Sequence, residues 1–216
     1  MAITLAVGTV AAIASTYGAS VAMSALTNAA EAVATLAGGH GVVVGDYLEV
    51  TSGWDRLNAR IVRAKTVATN DVTFESINTT STTNYPAGTG TGTIRRITAW
   101  TNLSQLTAQI SVSGGDINFS DITTLVDAIQ KQIPTTRNPV SVSMPFFDDP
   151  SLGWYATVSA ANDAAAATGF RLSFPNGSKL VSNAYWSLQT VPTIEDNTLR
   201  AKVDVAFAAA PVRYAT

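Results

Sequence analysis

The sequence predicts a mainly-β (α+β) protein, and three observations carry that reading. Apolar residues alternate with polar ones along much of the C-terminal half. Turn dipeptides punctuate short β-branched runs in the first half. Only two stretches carry an apolar repeat of helical period. With 216 residues and no cysteine, the chain can bury a sizeable core without disulfides.

Three stretches differ in character. Residues 1–23 are rich in Ala and Val, with a strand expected around Gly8–Ala14. Residues 24–97 read as short strands joined by turns. Ala32–Leu36 and Asp46–Val50 flank "GGHGVVVGD", and Asn58–Val67 meets Asp71–Glu75 at the Asn70-Asp71 turn as a hairpin. "NYPAGTGTGT" then leads into Ile94–Ile97, and strands at this spacing suggest a small β-barrel or sandwich.

Residues 98–216 carry longer strands. Phe170, Leu172 and Phe174 share a face, and the Pro175-Asn176-Gly177 turn joins them to a strand whose face is Leu180, Ala184, Trp186 and Leu188. Ala201, Val203, Val205 and Phe207 alternate with Lys202, Asp204 and Ala206. Such period-two rows belong to sheets with one face buried. Two helices are expected among these strands. Ile122, Leu125, Val126, Ile129 and Ile133 form one apolar stripe, with Ser120 as cap, Asp121 at the N-terminus, Lys131 near the end and Pro134 as the stop. A second helix starts with Asp149 as N-cap and Pro150 at its first position, and lines one side with Trp154, Val158 and Ala161.

Charged residues make up 13% of the chain, about half the usual share, so much of the surface suits cover by other copies. The net charge is −2, and the basic residues form no cluster beyond Arg95-Arg96 and Arg63/Lys65. Tight nucleic-acid binding needs several converging cations, which argues against it. "MAITLAVGTVAAIAS" lacks a basic leading segment and is interrupted by Thr, Gly and Ser, so neither a signal peptide nor a membrane span is expected.

The sequence offers little chemistry. His40 is the sole histidine and sits among turn residues, so a His ligand pair within one chain is impossible. Asp148-Asp149 reads as helix capping and Glu195-Asp196 as a loop between strands. "GTGTGT" at 88–93 has Thr93 where a dinucleotide fingerprint needs its third glycine, and a strand follows in place of a helix. Trp54, Trp100, Trp154 and Trp186 are scattered and read as core or interface anchors. No catalytic, cofactor-binding or metal-ligating residue is assigned, no cofactor is expected, and an enzyme is not expected.

Four segments in order, "KQIPT" (131–135), "DDPSLGWYATVSAAND" (148–163), "FRLSFPNGSKLVSNAYWSL" (170–188) and "APVRYAT" (210–216), resemble the major tail tube proteins of long-tailed bacteriophages. "GTVAAIASTYGA" (8–19) is similar to the first strand of such proteins, with the tube domain resuming near Trp100. Between them "HG", "GDYLEV", "LNAR", "TNDVTF" and "YPAGTGTG" resemble a small β-domain that recurs in phage tail components. The resemblance implies a discontinuous tube domain, 1–23 with 98–216, made of two packed antiparallel sheets and one or two flanking helices. It implies an inserted β-barrel-like domain at 24–97 on the outside of the tube. It further implies hexameric rings, stacked into a non-contractile tube through which viral DNA passes transiently. The implied partners are the chain itself, the tape measure protein and tail-terminator or tail-tip proteins, with no membrane. The implied location is the virion, after synthesis in the bacterial cytoplasm. A different class of function also fits the residues: a carbohydrate- or receptor-binding β-module reading through Trp54, Tyr47 and Trp100.

Overall fold

The computed structural model describes residues 7–107 and 109–215. The first six residues of the apolar opening, Ala108 and the terminal Thr216 lie outside that set. The described chain is mainly β. Its strands are β1 (Val10–Leu26), β2 (Val33–Leu36), β3 (Tyr47–Ser52), β4 (Ile61–Ala68), β5 (Asp71–Phe74), β6 (Gly92–Leu103), β7 (Ser111–Ser113), β8 (Ile117–Asp121), β9 (Gln132–Arg137) and β10 (Ser141–Phe147). Helix α1 (Gly153–Ala164) follows, then β11 (Thr168–Ser173), β12 (Lys179–Leu188), β13 (Thr193–Glu195), β14 (Thr198–Phe207) and β15 (Val212–Tyr214).

Thirteen of these strands hydrogen-bond into one antiparallel sheet, and β8 and β9 form a separate pair. Two long strands organise it. β1 and β6 run antiparallel from Ala11↔Leu103 to Met23↔Gly92, with register shifts between Ala14 and Ser20. Such irregularities bend a strand, so the two ends of β1 serve different neighbourhoods. Its start pairs with β11 (Val10↔Ser173) and its end with β2 (Leu26↔Ala34). The strand expected around Gly8–Ala14 is therefore only the first part of a longer one, and Ile94–Ile97 likewise lies inside β6.

In the first neighbourhood the pairings β1–β2, β2–β5, β5–β4, β4–β3, β3–β6 and β6–β1 close a circuit. A closed circuit leaves no unpaired edge. The circuit surrounds a core of Leu48, Val50, Trp54, Leu57, Val62, Val72, Phe74 and Ile94, all 1% exposed or less. The β4–β5 hairpin predicted at 58–75 is present, its turn carried by Thr69 at φ 52°.

The second neighbourhood is an open sheet in the order β1–β11–β12–β14–β10–β7. The Pro-Asn-Gly hairpin stands as predicted, pairing Ser173↔Lys179 with Gly177 at φ +82°. Ala201, Val203 and Val205 are buried and Lys202 is exposed, as the alternation requires. The same face holds Met144, Phe146, Phe170, Ala184 and Trp186, and α1 lies over it with Trp154, Val158 and Ala161 buried.

Helix α1 begins three residues later than the cap predicted. Asp149 accepts hydrogen bonds from the Ser151 amide (3.1 Å) and hydroxyl (2.6 Å), closing a local turn over Pro150. The residue before the helix is Leu152, extended and without a side-chain cap. The stripe at 122–133 is not helical at all. Ser120 and Asp121 belong to β8, Ile133 and Pro134 belong to β9, and the residues between form the tip of that hairpin.

Candidate assembly surfaces

The residues that a catalytic reading would use are tied into turns. The Val42 amide donates to His40 Nδ1 (3.0 Å), which leaves Nε2–H to donate to the Thr69 carbonyl (2.9 Å). His40 thus fastens the 38–41 turn to the β4–β5 turn. Asp196 and Asn197 have φ of 48° and 57°, the paired left-handed conformation of a two-residue hairpin turn, between β13 and β14. Among the described residues no group of three or more His, Cys, Asp or Glu side chains is placed to hold a metal ion. No helix among them is long and apolar enough to cross a membrane.

The aromatic platform does not form. Trp54 is 1% exposed, and its Nε1–H donates to the Pro86 carbonyl at 2.8 Å. Tyr47 is 6% exposed and meets Trp100 edge-on at 5.8 Å. The Trp100 ring is covered by the Arg171 guanidinium at 4.5 Å. Trp54 is locked inside the barrel, while Tyr47 and Trp100 join the barrel to the open sheet, so the three rings form no shared flat face.

A polar seam runs along the same junction. Glu49 on β3 accepts from Arg95 Nε (2.9 Å) and from Asn183 Nδ2 on β12 (2.9 Å). Arg95 also stacks over Tyr17 at 4.6 Å, and the Tyr17 hydroxyl accepts from the Gly169 amide at 2.8 Å. Burial, the largest influence on it, pushes the Tyr17 hydroxyl above its ordinary pKa. The C-terminal strand closes the junction: β15 pairs with β12, and Tyr214, 1% exposed, accepts the Arg63 amide at 2.8 Å.

A group of exposed apolar side chains lies elsewhere, on the β8–β9 arm. At its root Gly114 has φ +80°, and a Cβ there would stand 2.0 Å from the Pro139 carbonyl oxygen, so only glycine fits. The tip is knitted by its own polar groups. Asp121 accepts the Thr123 amide (2.8 Å) and Gln130 Nε2 (2.8 Å), Asp127 accepts the Thr124 amide (2.9 Å), and Lys131 pairs with Asp127. These bonds, led by the Thr123 hydroxyl, hold the Asp121 carboxyl at about 2, below its ordinary 3.8. With the backbone so tied, Leu125, Val126 and Ile129 stand 108%, 92% and 79% exposed. Phe119 (59%) and Ile117 (38%) extend the apolar surface along β8. Sequence reasoning found the stripe but assigned it to a helix, and it missed Ile117 and Phe119. The "SGGD" before the arm was the available signal for its root.

The opposite face of the open sheet carries a row of small polar residues, flanked by the exposed rings of Tyr185 and Phe147. Ser113 faces Ser141, Ser111 faces Ser143, and Asp204 lies across from both Ser143 and Ser187. Lys202 pairs with Asp204 at 3.1 Å, which neutralises the row.

An edge-bearing sheet and an ordered arm that holds large apolar side chains in water are the marks of a β-protein that works by contact. The chain belongs to the phage tail tube protein family: the model of that family, described as phage tail tube protein, matches residues 52–216. It is thus a structural component of the phage tail, located in the virion, where the family associates with itself and with other tail proteins. A search of curated proteins finds no match to the chain.

Proposed function

We propose that this chain assembles into closed hexameric rings that stack into a non-contractile tube for the passage of viral DNA. The observation that carries the reading is the β8–β9 arm. A monomer has no use for three large apolar side chains held in water on an ordered tip. Burying them against another copy is worth roughly 5–9 kcal/mol per arm before the cost of association. The open edge at β7 fits the same reading, because ring closure pairs an edge that a lone chain leaves bare.

In this reading the row of β7, β10 and β12 hydroxyls, with the neutralised Lys202–Asp204 pair of β14, faces the channel, where weak phosphate contact lets DNA slide. Residues 1–23 and 98–216 form the tube domain. The 24–97 domain projects outward, where it cannot obstruct the channel. The tape measure protein and the terminator or tip proteins meet the tube along its bore and at its ends, after synthesis in the host cytoplasm.

The test is negative-stain electron microscopy and light scattering of concentrated protein beside Leu125→Ser/Val126→Ser/Ile129→Ser. The wild-type chain should form annular or tubular particles, while the variant stays monomeric with an unchanged melting curve. Wild-type protein that remains monomeric under every condition tried refutes the reading.

A further inference from the structure

The self-assembly reading leaves open which surfaces of two copies meet head to tail, and two features of opposite charge stand at the two ends of one strand. The first is a cleft of about 370 Å³ between the 55–60 turn and the 208–210 loop. Arg56, Asn58, Arg60, Tyr85 and Asp55 line it, and Ala208–Ala210 form its apolar wall. Neither arginine has an ion-pair partner among the described residues. Arg60 Nε is buried there with no hydrogen-bond partner among them. Asp55 is the single acid in the lining, so the cleft keeps a net positive charge.

The second feature is the β13–β14 turn, which carries Glu195 and Asp196. Its left-handed pair Asp196-Asn197 makes it a tight two-residue turn. Glu195 reaches only a loose pairing with Arg200, at 3.8 Å, and its side chain is 68% exposed. Ile194 beside it is 78% exposed. The tip therefore offers carboxylates next to an apolar side chain, and the cleft offers guanidinium groups next to an alanine wall and an aromatic ring. Guanidinium and carboxylate match as planar hydrogen-bonding partners, and a half-enclosed cleft strengthens the pairing.

The turn immediately precedes the start of β14 at Thr198, and the 208–210 wall immediately follows its end at Phe207. A strand of that length spans about 33 Å, so tip and cleft cannot meet within one chain.

We propose that the Arg56/Arg60 cleft receives the Glu195-Asp196 tip of a neighbouring copy. The proposal rests on the reading of the chain as self-assembling. Because donor and receptor lie at opposite ends of β14, the contact is heterologous, and each copy can give one tip and receive one. Such a contact propagates through a ring or along a stack.

The test compares the concentration at which sedimenting assemblies appear, in low salt, for four proteins. These are the wild type, Arg56→Glu/Arg60→Glu, Glu195→Lys/Asp196→Asn, and the combination of both changes. Each charge change alone should raise that concentration at least about tenfold, and the combination should recover most of the loss. Circular dichroism and thermal melting establish that each variant is folded. Should Arg60→Glu unfold the chain, Arg56→Gln on the exposed rim replaces it, with an expected rise of about threefold. Assembly of either single-sided variant at the wild-type concentration overturns the pairing. So does a folded combination no better than its parents. Failure of the wild type to assemble at all is a separate result, and it removes the self-assembly reading together with this contact.

Discussion

Truncating Tyr214 tests whether the last strand locks the barrel to the open sheet. The Tyr214 ring is 1% exposed, has the Arg63 guanidinium 4.6 Å from its centroid, and lies 6.2 Å from the Tyr47 ring. Removing an aromatic side chain from such a site costs about 3–5 kcal/mol in transfer and cavity terms. The hydroxyl adds a separable part, because it accepts the Arg63 amide, so Tyr214→Phe alone should cost about 1 kcal/mol. Urea unfolding followed by tryptophan fluorescence reads both, since Trp54 sits in the barrel core and Trp154 and Trp186 in the sheet core. The two cores should unfold in one transition in the wild type. In Tyr214→Ala the barrel should unfold at lower urea. A loss below about 1 kcal/mol for Tyr214→Ala, with Tyr214→Phe indistinguishable from wild type, would refute the clamp. The hydroxyl also predicts an alkaline limb. Burial raises the Tyr214 pKa above its unfolded value of about 10, so its contribution is complete below that pH and declines above it. Tyr214→Phe should lose that part of the limb. A remainder should persist, because burial also raises Tyr17 and Tyr47.

Three further outcomes are expected. Gly92→Ala puts a Cβ 2.0 Å from the Thr51 carbonyl oxygen inside the β3–β6 pairing, and should cost about 3 kcal/mol in urea unfolding because the obstructing atom is backbone. Ala165→Gly relieves a left-handed alanine at φ 48° after α1, and should stabilise the chain by about 0.5–1 kcal/mol, read as a raised melting temperature. The Asp121 carboxylate should tie the arm tip fully above pH 3.8 and release it as pH falls through about 2, seen as titrating Thr123 and Gln130 resonances by NMR. Asp121→Asn should abolish that titration, and a Thr123 amide that does not move across this window would contradict the assigned bonds.

Where a segment's partner is close in sequence and its apolar face meets this chain's own core, the residues announce the structure. The Pro-Asn-Gly hairpin, the β4–β5 hairpin and the alternation of Ala201, Val203 and Val205 are of that kind. So is the buried face of α1, even though its start was misplaced: Asp149 and Pro150 have the chemistry of a helix start but close their own turn one step earlier. What the pattern does not carry is continuity through bends. β1 crosses register shifts near Thr16 and Tyr17, where the alternation loses phase, so one long strand looks like a short one followed by loop.

The arm is a different failure, and a more informative one. Ile122, Leu125, Val126, Ile129 and Ile133 repeat as a helix would, yet a helix gains from its stripe only if a surface of the same molecule covers it. The described chain supplies none: every one of these side chains is at least 45% exposed. Local polar chemistry then decides the conformation. Asp121 ties Thr123, Asp127 ties Thr124, and β-branched Ile117 and Ile133 extend into paired strands. Periodicity reports that a surface is to be buried, not which molecule buries it. In a chain of this family, an apolar repeat with no internal partner is therefore read most economically as a contact between chains.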